Sequence, residues 1–277
     1  MSQSDVPLAG VIGDPVGHSR SPRLHGFWLS QYRVRGHYVP LHVVAADLEA
    51  SLRLLPRLGF VGLNVTVPHK ETVLAFADQI SPVAARIGAA NTLTFDADGR
   101  IHADNTDALG FADNLRQSVP DWRPSAAPAA VFGAGGAARA VVAGLLDLGV
   151  PDIRLTNRTR ARAEALADAF GPAVTVIDWE DCHEALAGAG LVVNTTSLGM
   201  EGQQPFPPVL HLLTPGTVAA DIVYAPLETP FLIAARATGA RCVDGLGMLL
   251  YQAVPGFERW FGVRPSVTDE LRQAVMA

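Results

Sequence analysis

At 277 residues the chain exceeds what one hydrophobic core ordinarily holds, so two domains are expected. It is 49% hydrophobic and 17% charged with a formal net charge of -6, which excludes a disordered chain and argues against nucleic acid or a membrane surface as partner. Cys182 and Cys242 stand apart without CxxC spacing, which argues against a disulfide framework or zinc ribbon.

Met1 to Pro7 is polar and carries no leader pattern, and no apolar run reaches transmembrane length, so a reducing cytoplasm is the expected setting. Leu8 to Ile12 reads as a buried strand, followed by a turn-rich segment to Pro22. Ser21-Pro22 predicts a helix start, with Ser21 as N-cap and Pro22 at the first helical position. Ser19 is not needed for that cap. Ser19, Ser21 and the free N–H groups of the helix start therefore suit a carboxylate. His37 to Val44 follows as a strand and Asp47 to Leu55 as a helix. The strand–helix rhythm predicts a parallel sheet with ligands at the strand exits.

Asn64-Val65-Thr66-Val67-Pro68-His69-Lys70 is the most informative stretch. Leu63, Val65 and Val67 alternate with Asn64 and Thr66, predicting a strand with one polar face. Pro68 ends it, and a helix is expected from Glu71 to Ala77. Lys70 is the one lysine among 21 Lys and Arg residues. An ammonium gives up its proton far more readily than a guanidinium, which points to proton transfer at Lys70. Gly88 to Thr92 leads into a strand through Phe95, Asp98-Gly99 signals a hairpin, and Ile101 to Ala103 returns. Asp104-Asn105-Thr106-Asp107 then opens a helix. This element serves as a cap or, through an ionised Asp107, as a partner that steadies Lys70.

Val119 to Pro128 holds three prolines and reads as a linker. Beyond it, Ala129 to Phe132 is a strand and Gly133-Ala134-Gly135-Gly136-Ala137-Ala138 opens a helix to Leu148. Strand, G-x-G-x-x-A and helix in this order are the dinucleotide fingerprint. The next strand, Ile153 to Thr156, ends in Asn157-Arg158-Thr159, with Arg160 and Arg162 beyond and no acid. Arginines at a helix start oppose its dipole, so a bound 2′-phosphate is the better explanation and NADP is favoured over NAD. Helices are expected over Ala161 to Phe170 and Glu180 to Ala187, and strands over Val174 to Ile177, Leu191 to Asn194 and Val218 to Ile222. The exits at Asn194 to Met200 and Val223 to Pro226 suit a nicotinamide ring, although Met200 and Tyr224 serve equally as packing residues. Asp244-Gly245-Leu246-Gly247-Met248 enters an apolar helix carrying Gln252, whose amide needs partners; a last helix spans Val267 to Met276.

Together these motifs resemble the shikimate dehydrogenase family over almost the whole chain, from Gly13-x-Pro15 and His18-Ser19-x-Ser21-Pro22 to Asp244-Gly245-x-Gly247-Met248-Leu249. The resemblance implies a two-domain α/β fold: an N-terminal α/β substrate domain and a Rossmann-type NADP domain, with a cleft between them. Residues 1–107, completed by 243–277, would form the substrate domain, and 108–242 the NADP domain. It implies NADPH-dependent reduction of 3-dehydroshikimate to shikimate, with Lys70 and Asp107 as the catalytic pair. Ser19, Ser21, Asn64, Thr66, Asn91, Tyr224 and Gln252 would hold the substrate. Gly133, Ala134, Gly135, Gly136, Ala137, Asn157, Arg158, Thr159, Arg162, Thr195, Ser197, Gly245 and Met248 would hold the cofactor. No metal is required. A monomer or homodimer is expected. A quinate/shikimate dehydrogenase of relaxed specificity and a non-catalytic NADP sensor are the alternative readings. Gly26, Ala103 and Ala108 depart from residues common in the family, at positions outside the proposed chemistry.

Overall fold

The computed structural model describes residues 6–199, 202–204, 206 and 209–277. Met200 and the first five residues, which figure in the expectations above, lie outside that set. The chain forms two compact units, one of Met1–Thr106 with Leu249–Ala277 and one of Asp107–Met248.

The first unit contains β1 (Leu8–Gly13), α1 (Ser21–Gln31), β2 (His37–His42), α2 (Leu48–Leu54) and β3 (Phe60–Val65). β1 pairs in parallel with both β2 and β3, as the strand–helix rhythm predicts. Then come β4 (Gln79–Ile80), α3 (Pro82–Ile87), β5 (Thr92–Phe95) and β6 (Ile101–Asp104), in the sheet order β2-β1-β3-β5-β6-β4. The sheet is mixed rather than parallel, because β5 runs antiparallel to β3 and β6. The Asp98-Gly99 turn, with Gly99 at φ 77°, folds the chain straight back and sets β6 antiparallel to β5. The polar side of β3 is buried rather than solvent-facing: Gly62, Leu63, Asn64 and Val65 are all buried, because both faces of the sheet are covered. The expected helix at Glu71 is a 3-10 turn, Thr72–Phe76; β-branched Thr72 and Val73 disfavour a longer α-helix. Ile12, Leu48, Leu52, Leu63, Val65 and Leu93 form one core of this unit.

The second unit contains α4 (Asp107–Ser118), β7 (Ala129–Phe132), α5 (Gly136–Asp147), β8 (Ile153–Thr156), α6 (Arg160–Phe170) and β9 (Val174–Ile177). Next come β10 (Leu191–Asn194), β11 (Val218–Asp221), α7 (Pro230–Ala237) and β12 (Arg241–Val243). α8 (Leu246–Phe261) starts in this unit and passes to the first at Leu249, a few residues beyond the sequence-read boundary; α9 (Asp269–Met276) closes the chain. All pairings of the second sheet are parallel, in the order β12-β11-β10-β7-β8-β9, which is the doubly wound nucleotide-binding arrangement. Both faces are apolar: Val131, Leu155 and Val193 pack on one side, Phe132, Val192 and Phe231 on the other. The segment Val119 to Pro128 is not a linker between units. It lies within the second unit, where buried Val119 and half-buried Trp122 pack on the core. Glu180 to Ala187 holds only a 3-10 turn, Glu184–Leu186, since a short run with Asp181, Cys182 and His183 cannot sustain helix nucleation. Among the described residues no helix is long and apolar enough to cross a membrane.

Candidate active site

The strand exits of the first unit carry its polar side chains. At the end of β1 a side chain on Gly13 would collide with the Thr66 methyl and approach the Val67 carbonyl at 3.0 Å, so glycine permits the close passage of the two exits. Ser21 is the first residue of α1, and Arg20 holds the N-cap position without a side-chain cap. The capping expectation therefore falls. Instead, the Ser19 hydroxyl accepts the Ser21 N–H at 3.3 Å, so Ser19 helps to close the helix start. Ser21 is buried and Ser19 partly exposed.

Asn64, Asn91, Thr92, Thr106 and Gln252 form one buried network. Asn91 Nδ2 donates to Gln252 Oε1 at 3.0 Å and to Thr106 Oγ1 at 3.1 Å. Asn91 Oδ1 accepts from the Thr106 N–H at 2.8 Å and from Thr92 Oγ1 at 2.9 Å. Asn64 Nδ2 donates to the Asn91 carbonyl at 3.2 Å, and Gln252 Nε2 to the Leu249 carbonyl at 2.9 Å. The partners expected for the Gln252 amide are thus in place. Among the described residues the Thr66 side chain makes no hydrogen bond to this set; its N–H donates to the Ile12 carbonyl.

Lys70 lies half-buried on the turn after β3. The turn is pinned twice: the Lys70 carbonyl accepts the Ala90 N–H at 2.7 Å, and buried His69 donates from Nε2 to the Val43 carbonyl at 2.6 Å. Asp104 braces the following element by accepting from Ser81, from Arg259 and from the Asn105 N–H. Burial opposes its ionisation, but the Ser81 and Arg259 bonds prevail and hold its carboxyl below the usual range. His25 is fully buried, stacked on Tyr38 at 3.9 Å, with no hydrogen-bond partner on either ring nitrogen. Desolvation lowers its pKa to about 3, offset only in part by the Asn64 amide.

In the second unit Asp107 is the buried first residue of α4, where the helix dipole favours a carboxylate. Gly133 has φ 112°, and a side chain there would meet Thr195 Oγ1 at 2.5 Å. Thr195 donates that hydroxyl to the Phe132 carbonyl at 2.6 Å, which sets it beside the glycine turn. Gly135 faces open space at the start of α5, whose first N–H groups receive no side-chain cap. Asn157 bridges the β8 exit through Nδ2 to the Thr159 carbonyl at 2.9 Å. Arg158 and Arg162 are exposed and have no acidic partner among the described residues. Arg160 differs: it pairs with Glu164 at 2.7 Å and Asp178 at 2.5 Å, so these carboxylates, not a ligand, offset its charge at the helix start.

Tyr224 lies partly buried after β11 and Ser197 is exposed after β10. Their strands are joined through Asp221, which accepts from Asn194 Nδ2 at 3.1 Å, the Val223 N–H at 3.0 Å and Thr229 Oγ1 at 2.7 Å. Burial outweighs these bonds and raises the Asp221 carboxyl to about 6. A side chain on Gly245 would overlap the Ile222 carbonyl, and Met248 packs into the core of this unit. The sequence reading passed over Asp221, Thr92 and Tyr38. Each is a polar side chain on a strand, and that is the only local sign they give.

An open glycine turn before an uncapped helix, followed by a strand exit with exposed arginines and no acid, fits a dinucleotide bearing a 2′-phosphate. A doubly wound unit of this kind, with an α/β unit rich in buried amides and hydroxyls, defines a nicotinamide-dependent oxidoreductase. Comparison with known proteins narrows the class. Residues 11–93 match the shikimate dehydrogenase substrate binding domain, 116–200 the shikimate / quinate 5-dehydrogenase model, and 245–276 the shikimate 5'-dehydrogenase C-terminal domain. The chain is 61% identical over 272 residues to shikimate dehydrogenase (NADP(+)) of Cereibacter sphaeroides, covering 98% of each protein. A Thermus thermophilus shikimate 5-dehydrogenase solved with NADP(H) and shikimate superposes with TM-score 0.85 at 38% identity, over 97% of this chain and 98% of that one. A Corynebacterium glutamicum quinate dehydrogenase solved with NAD gives TM-score 0.90 at 32% identity, over 98% and 99%. The chain belongs to the shikimate dehydrogenase family.

Proposed function

We propose that the two sets of side chains described above divide one reaction between them. The protein is an NADP-dependent oxidoreductase acting on a CH–OH group, and it interconverts 3-dehydroshikimate and shikimate in aromatic amino-acid biosynthesis. The unit of Met1–Thr106 with Leu249–Ala277 serves chiefly the substrate and that of Asp107–Met248 chiefly the cofactor. Ser19 and Ser21 take the substrate carboxylate. Asn64, Thr66, Asn91, Tyr224 and Gln252 take its hydroxyl groups. The observation that carries this reading is the Asn64–Asn91–Thr106–Gln252 network, a buried set of joined amides and hydroxyls suited to a polyhydroxylated ring.

The glycine turn from Gly133 to Ala137 and the first N–H groups of α5 receive the pyrophosphate, and Arg158, Thr159 and Arg162 the 2′-phosphate, with Asn157 shaping the loop. Thr195, Ser197, Gly245 and Met248 belong to the nicotinamide end. When bound, the reduced cofactor supplies the hydride. Lys70 holds at Nζ the proton that the substrate oxygen takes up in reduction, and receives it back in oxidation. Asp107 is the acidic member of the pair. The protein acts in the cytoplasm, consistent with two free cysteines, as a monomer or homodimer.

The test is a nicotinamide absorbance assay with shikimate or quinate, each with NADP or NAD. Turnover confined to shikimate with NADP is expected. The likeness to a quinate dehydrogenase makes comparable quinate turnover the specific competing result. No turnover with any pair, in protein that binds NADP, would sink the enzymatic reading in favour of a sensor.

A further inference from the structure

Tyr38 is the one buried residue of β2, an edge strand whose other residues are exposed or half-exposed. Its ring lies flat on His25 with an interplanar angle of 5°. Its hydroxyl donates to Asn64 Oδ1 at 2.6 Å. Asn64 Nδ2 donates to the Asn91 carbonyl, which can only accept, so the two contacts agree on one orientation of the amide. A flipped amide would set its oxygen against that carbonyl. Among the described residues the second Asn64 N–H meets only Thr92 Oγ1, at a long 3.5 Å. Asn64 therefore has its oxygen engaged by Tyr38 and one N–H only weakly held.

We propose that Tyr38 is a positioning residue for substrate recognition: its hydroxyl, held by the stack on His25, locks the Asn64 amide so that it presents an N–H to a substrate hydroxyl. The inference rests on the reading of Asn64 as a substrate contact. A phenylalanine ring retains the stack but cannot donate, so Asn64 Oδ1 loses its partner and the amide its fixed orientation.

The experiment is steady-state kinetics of Tyr38→Phe, Asn64→Ala and the double variant, with shikimate and NADP. Tyr38→Phe is expected to raise KM for shikimate about tenfold, with kcat changed less than threefold and KM for NADP unchanged. On the Asn64→Ala background the same substitution should change KM less than twofold. An unchanged KM in Tyr38→Phe overturns the proposal. So does a full effect on the Asn64→Ala background, which would route the action through a group other than Asn64. Should Tyr38→Phe fail to fold, 3-fluorotyrosine at position 38 replaces it. A stronger donor should lower KM for shikimate about twofold, and an identical KM overturns the proposal. Absence of wild-type turnover overturns the enzymatic reading together with this one, whereas wild-type turnover with unaltered variants overturns this one alone.

Discussion

Single side chains carry the sharpest expectations. Lys70 is the only ammonium in a chain otherwise furnished with arginine, and its turn is pinned by the Ala90 and His69 bonds, so its backbone is fixed independently of its head group. Replacing it by alanine should leave the turn intact. Turnover is expected to fall by on the order of 10² to 10⁴, with NADP affinity unchanged. Lys70→Arg should not restore it, since a guanidinium does not release a proton near neutral pH. Stopped-flow measurement of the hydride step checks both variants, and near-normal rates would remove Lys70 from the chemistry. At the β8 exit, Arg158 is exposed without an acidic partner among the described residues whereas Arg160 is committed to Glu164 and Asp178. Arg158→Ala should weaken NADP by roughly tenfold or more and leave NAD unaffected. Arg160→Ala should discriminate little between the two. Fluorescence titration with each cofactor decides it, and equal losses for Arg158→Ala would refute the 2′-phosphate assignment.

Elements were legible wherever their signal was local. The fingerprint from Ala129 to Leu148 names its own strand, turn and helix, and β7, Gly133 and α5 fall there. The mixed first sheet was not, because strand–helix rhythm speaks of succession and says nothing of pairing direction. β12, three residues long, carries too little pattern to be seen. In the candidate site the motif residues Asn64, Asn91 and Gln252 could be named in advance, since each stands in a recognisable local setting. Tyr38 could not, because what distinguishes it is a bond to Asn64, 26 residues away on another strand. Glycine 62 shows the same limit. A side chain there would overlap Trp260 Nε1 and the Leu93 carbonyl, which bond each other at 3.0 Å and tie α8 to β5. Gly62→Ala should cost about 1–3 kcal/mol through overpacking. Gly26→Ala, mid-helix with open space around it, should instead stabilise by about 0.5–1 kcal/mol. Urea midpoints of the two variants check the pair, and a neutral Gly62→Ala would show that Trp260 yields at little cost.

At the scale of the whole molecule, each unit buries a group that folding shifts strongly on the acid side of neutrality, and the two act in opposite senses. His25, in the first unit, has its pKa lowered from 6.5 to about 3. The unfolded chain therefore binds more protons than the native one between those values, so stability from this group is complete above pH 6.5 and is lost on acidification. At pH 5 the loss is about 2 kcal/mol. Asp221, in the second unit, has its carboxyl raised from 3.8 to about 6. Here the native state binds more protons, so the group costs stability at neutral pH and the cost shrinks as pH falls through 6, by about 1 kcal/mol at pH 5. A stability curve of the whole chain would show the two partly cancelled. The tryptophans separate them, since Trp28 and Trp260 belong to the first unit and Trp122 and Trp179 to the second. With Trp122 and Trp179 replaced by phenylalanine, urea unfolding read by fluorescence should show a midpoint that falls between pH 7 and pH 5. His25→Phe keeps a ring against Tyr38 and has no proton to gain, so it should flatten that dependence. A dependence of equal slope in the variant would mean that some other group, not the neutral imidazole stacked beneath Tyr38, sets the acid limit of the first unit.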